Sequence, residues 1–130
     1  MSVIKTIYQG NYQCATQSPL NAEPIITKAV RFTPIDLLVS AYGSCLLATI
    51  DYEARKNQFQ TSDLRSEISY KMSEDTSQLG AVQIKIFLGS DYTNEQKQII
   101  EFASQNYCHV GKSLNLEVKK EFEFIYNELK

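Results

Sequence analysis

The sequence predicts an α+β fold with its elements in the order βββ-α-ββ-α-β, and three observations predict it. Short β-branched and aromatic runs fill the first 30 residues, residues 33–56 read as one long helix, and the remainder alternates period-two segments with a single amphipathic helix. Runs of strands with segregated helices argue for antiparallel sheets that lay an apolar face over the two main helices. A chain of 130 residues suits one domain, 1–130, with a real core and leaves no room for a second of ordinary size.

Residues 3–9 and 12–17 are rich in β-formers and are separated by Gly10-Asn11, which reads as a hairpin turn. Pro19, Asn21 and Pro24 punctuate a loop ahead of the β-favouring run 25–28, a third strand. Thr33-Pro34-Ile35-Asp36 combines an N-cap hydroxyl, a proline at the first helical position and an acid three residues after the cap, so a helix starts there. Over residues 37–50 apolar side chains surround nearly the whole helix, and Asp51, Glu53, Arg55 and Lys56 mark a wet C-terminal end. Leu64, Ile68, Tyr70 and Met72 share one strand face, as do Val82, Ile84, Ile86 and Leu88. Thr93 with Gln96 forms a second capping box, and Ile99, Ile100, Ala103 and Tyr107 follow at helical spacing, which gives a helix ending near Cys108. Residues 110–114 fit a short helical turn, after which Leu116, Val118, Phe122, Phe124 and Tyr126 alternate through a long final strand. The apolar girth of residues 37–50 demands more cover than one short helix supplies, and a tight homodimer would provide it.

Composition narrows the function. Hydrophobic residues make up 43% and charged residues 22%, the balance of a packed globular protein. A net charge of -2 with scattered lysine and arginine offers no field for a phosphate backbone, so no nucleic-acid partner is expected. The eight tyrosines and six phenylalanines alternate with apolar positions, the pattern of core and interface. MSVIKTIYQG lacks the apolar core and cleavage site of a secretion signal, which predicts a cytoplasmic protein. Residues 37–50 are too few to cross about 30 Å of bilayer at about 1.5 Å each, so no membrane contact is expected. In a reducing compartment the three cysteines are free, catalytic or metal-binding.

Cys45 lies about three turns inside its helix, beyond the reach of that helix's N-terminal field. A cysteine in an apolar helix is more often a small hydrophobe than a nucleophile. Gly43 argues the other way, because it costs about 1 kcal/mol in a helix interior and is better explained where another backbone or a ligand comes close. Cys108 sits where a helix ends and the turn His109-Val110-Gly111-Lys112 begins, which suggests a mobile, partly exposed sulfur placed like a resolving thiol. His109, the only histidine, forms a poor zinc signature with Cys108, so it reads as a turn residue and no metal is expected. Cys14 has no motif partner and reads as a strand residue.

PIDLLVSAYGSC, followed after two strands by a helix ending in YCHVGKSL, resembles the OsmC/Ohr family of hydroperoxide reductases over nearly the whole chain. IYQGNYQCATQ and PIITKAV resemble the front sheet of the family's smaller bacterial members. The resemblance implies an intertwined homodimer with a pocket between subunits. It also implies a peroxidatic Cys45 that forms a sulfenic acid on an organic hydroperoxide and a Cys108 that condenses with it to a disulfide. An external dithiol reductant would complete the cycle, with no bound cofactor. Helical geometry sets Leu38, Ala41, Tyr42, Thr49 and Tyr52 around Cys45, an apolar and aromatic lining suited to an organic peroxide.

Two features depart from the family. Gln13 stands where the family has an arginine near the start of its second strand. Arg31 is the nearest substitute, yet Cys45 lies about 15 Å further along the axis at about 1.5 Å per residue. Arg31 is therefore either a cation reaching across a dimer or through a bent loop, or a surface arginine at a strand end. Asp36 matches the family's acid only in part, lies nearly opposite Cys45 on the helix, and is suited to capping. The rival reading is a non-catalytic module of the same fold that binds a small apolar ligand or senses thiol redox state; a purely structural dimer with inert cysteines is the third.

Overall fold

The computed structural model describes residues 3–18, 21–29 and 31–127; Pro19 of the expected loop and Val30 of PIITKAV lie outside them. Residues 1–40 and 41–130 form two compact units.

In the first unit β1 (Lys5–Gly10), β2 (Gln13–Gln17) and β3 (Ile25–Lys28) make an antiparallel sheet in that order. The hairpin turns on Asn11 and Tyr12, with φ of 54° and 60°, one residue later than Gly10-Asn11 suggests. A two-residue turn matching the right-handed strand twist needs positive φ at both central positions. Gly10 itself takes φ 88° beside a bulge. Cys14 is a β2 residue opposite Tyr8 and Thr27, as its surroundings suggested. The α1 helix (Pro34–Lys56) opens on the anticipated box: the Asp36 amide donates to Thr33 Oγ1 at 3.1 Å and the Thr33 amide to Asp36 Oδ2 at 2.9 Å.

The second unit holds the rest of α1, then β4 (Arg65–Met72), β5 (Leu79–Leu88), α2 (Asn94–Asn106), α3 (His109–Ser113) and β6 (Lys119–Tyr126). The anticipated order is present, with α3 as the short helical turn. Strands β4 and β5 are antiparallel, but β5 and β6 run parallel from Ala81↔Lys119 to Leu88↔Tyr126. This corrects the wholly antiparallel expectation. The helical connection between β5 and β6 returns the chain to the start of β5, as any parallel pair requires. Leu116 does not begin β6: it is 95% exposed, in a turn where the Val118 amide donates to Asn115 O and the Glu117 amide to Asn115 Oδ1.

Tyr42, Leu46, Ile50 and Ala54, four residues apart, form one buried stripe of α1. With Val82, Ile84, Ile86 and Leu88 of β5 and Ile100 and Ala103 of α2 they build the core. The 23-residue α1 has the length and hydropathy to cross a membrane, contrary to the argument from residues 37–50. Its stripe, however, is buried in protein, the position of a core helix. Glu53 is also not at a wet end: it is buried and pairs with Lys56 Nζ at 3.6 Å. Gly43 lets α1 approach β4, since a Cβ there would lie 2.8 Å from Ser66 Oγ. It is the strand, not a ligand, that requires this glycine.

Candidate functional site

The site is built around α3. Cys108 has extended backbone (φ -73°, ψ 118°), and its sulfur accepts from the Gly111 amide at 3.5 Å, so the cysteine itself caps the helix. Lys120 Nζ donates to Gly111 O at 2.7 Å and Ser113 Oγ to His109 O at 2.8 Å, so two of the helix's carbonyls take side-chain donors. Gly111 packs against the buried Tyr42 ring, where a Cβ would come within 2.9 Å of Cε1.

The start of α3 stands beside Cys45, with His109 in the same groove wall. Partial burial pushes the Cys45 thiol up, but the Val110 amide, the Cys108 thiol, the Thr49 hydroxyl and the His109 amide together outweigh it, and the net displacement is downward. Thr49 Oγ1 is 3.9 Å from the sulfur. Cys108 moves the opposite way: burial raises it most, the Gly111 amide opposes, and the hydrogen bond and charge of Cys45 raise it further. Tyr42 is pushed up to about 12, by burial and then by Cys108 and Cys45. The two thiols are thus displaced in opposite directions, Cys45 toward the thiolate and Cys108 toward the thiol, beside a phenol that burial pushes up.

Cys108 is 2% exposed, not the partly exposed sulfur that its place beside a turn suggested. Capping draws its sulfur inward. The field of Cys45's own helix is remote, and what displaces its acidity downward includes the Val110 and His109 amides at the start of a different helix. Backbone amides carry no residue signature, so this activation was hidden; the hint was a cysteine three residues before a glycine at a helix start.

Beside Cys45 lies a groove of about 800 Å³ with Thr49, Tyr52 and Tyr107 in its walls. Of the expected lining, Thr49 and Tyr52 are there, whereas Tyr42 is buried against Gly111. Leu38, 37% exposed, belongs to the unit of residues 1–40. The groove is less apolar than expected because the last turns of α1 bring Glu53 and Lys56, and α3 brings His109 and Lys112. Arg31 and Asp36 are also in the first unit, Arg31 exposed in the bend before α1 and Asp36 in its cap.

The amide donors can be tested singly. Proline is favoured at the first helical position, and the extended Cys108 ahead of it suits a following proline. His109→Pro should therefore fold and lose one donor, slowing Cys45 alkylation at neutral pH by roughly threefold to tenfold and moving its pH profile upward. An unchanged profile would remove the His109 amide from the account.

The OsmC-like protein family matches residues 27–123, more than half of the chain. No curated protein matches it. Among solved structures, one from Psychrobacter arcticus is similar with a TM-score of 0.86 at 23% identity, covering 95% of this chain and 96% of that one. An OsmC like protein from Mycoplasma pneumoniae gives 0.83 at 17% identity, covering 98% of each. The organic hydroperoxide resistance protein OhrB of Bacillus subtilis gives 0.70 at 13% identity, covering 95% and 97%. At these identities the structures speak for the fold, and with the family match over both cysteine segments the chain belongs to the OsmC-like protein family.

Proposed function

We propose that the chain is a thiol-dependent peroxidase that reduces organic hydroperoxides. The observation that carries this reading is the setting of Cys45, with the Thr49 hydroxyl 3.9 Å from its sulfur and the buried Cys108 capping the neighbouring α3; the Val110 and His109 amides, the Cys108 thiol and the Thr49 hydroxyl displace its acidity downward. A thiolate is the nucleophile that peroxide chemistry needs, and these donors do the work for which an arginine seemed required. Resemblance to a protein named for organic hydroperoxide resistance supports the substrate class.

In this reading the Cys45 thiolate attacks the terminal peroxide oxygen, the O–O bond breaks, and the alkoxide leaves as an alcohol after taking the Cys108 proton. Cys45 becomes a sulfenic acid. The Cys108 thiolate so formed attacks that sulfur, and hydroxide departs to be protonated to water. An external dithiol then reduces the disulfide and is itself oxidised. Residues 1–130 act as one domain of a cytoplasmic homodimer; the dimer is supported by Phe102 and Leu116, which are exposed in a single chain.

Treating reduced protein with one equivalent of cumene hydroperoxide should yield a Cys45–Cys108 disulfide by peptide mass mapping, and added dithiol should sustain many cycles. Persistence of the peroxide with both thiols intact would overturn the reading.

A further inference from the structure

The groove beside Cys45 departs in charge from the rest of the molecule. The chain carries a net charge of -2, yet the groove holds Lys56 and Lys112 against one acid, Glu53. Glu53 is committed to Lys56 at 3.6 Å. Lys112 has no acidic partner among the described residues, and it shares the groove wall with His109, three residues back on α3. An unpaired cation in a concave site next to a nucleophile is placed to act on whatever enters.

We propose that this groove selects hydroperoxides that bear an anionic group such as a carboxylate, and that Lys112 is the residue that reads it; this rests on the peroxidase reading above. A negatively charged peroxide approaching a thiolate meets like charge, which a neutral one does not. Lys112 offsets that repulsion for the anion and offers a neutral peroxide nothing comparable. Tyr52 and Tyr107 supply aromatic walls for the hydrocarbon between the peroxide end, at Cys45, and the anionic end.

The test compares kcat/KM for cumene hydroperoxide bearing a para-carboxylate with that for its methyl ester. The ratio should favour the carboxylate, decline with rising salt, fall about fivefold in Lys112→Gln, fall further in Lys112→Glu and be kept by Lys112→Arg. A ratio indifferent to Lys112→Glu overturns the proposal. A second measurement needs no turnover: calorimetry of Cys45→Ser protein with para-isopropylbenzoate and with the neutral amide. Tighter binding of the benzoate, lost in Lys112→Gln, supports the anion site even if neither peroxide is consumed, in which case the peroxidase reading alone fails. Turnover of both peroxides with equal benzoate and amide binding leaves the peroxidase and removes the anion site.

Discussion

Serine in place of Cys45 should end peroxide turnover, by roughly three orders of magnitude or more, with the fold retained. The hydroxyl occupies nearly the same space but does not ionise near neutral pH, so the donors around position 45 have no thiolate to hold. Serine at Cys108 should act differently. It is a favoured helix N-cap and can take over the bond to the Gly111 amide, and its hydroxyl can still donate toward Cys45. Cys108→Ser should therefore consume one equivalent of peroxide and stall, leaving a sulfenic acid that dimedone traps and intact mass records. Continued cycling by Cys108→Ser would show that another thiol resolves. The pH dependence carries a definite sign. Because folding lowers the Cys45 value, the stabilisation this thiolate provides is present above the unfolded thiol's range, near 8.5, and is lost as pH falls through the folded value.

Alanine in place of Gly111 should damage stability and rate together. Its Cβ would stand 2.9, 3.1 and 3.2 Å from Tyr42 Cε1, Oη and Cζ, and that ring is 2% exposed with no room to swing away. Overpacking of this kind costs about 1–3 kcal/mol. Relief by displacing α3 would carry the Val110 and His109 amides off the Cys45 sulfur, so alkylation at neutral pH should slow as the melting temperature falls. Adding Tyr42→Leu removes the ring edge, and the double variant should recover more than the two single costs would predict. A Gly111→Ala protein with wild-type melting and alkylation would end the view that this contact positions α3.

Local rules read well in this chain, and tertiary ones did not. Thr33 and Asp36 declared the start of α1, and Thr93 and Gln96 that of α2, because a capping box is complete within four residues. The β3 run was legible for the same reason. The parallel sense of β6 was not, since period-two alternation is the same for either direction of pairing. Leu116 continued that alternation in sequence, but Asn115 folds the backbone into a turn there. Glu53 looked like solvent decoration and is held inward beside Lys56. The two cysteines were legible as motifs; the opposite displacement of their acidities was not, since it depends on amides and burial brought together from separate helices.

The capping of α3 by Cys108 bears on electron affinity. In the peroxidase reading the groups that lower the Cys45 thiol act on a charged sulfur, and a disulfide sulfur, being neutral, would accept from them weakly. Joining the pair would also draw the Cys108 sulfur into a new bond while it still serves the Gly111 amide. The dithiol form is thus favoured by contacts that the disulfide form forgoes. Each 1.4 kcal/mol of such preference raises the reduction potential by about 30 mV, so in the proposed cycle the helix beside Cys45 would also make the disulfide easier for an outside dithiol to break.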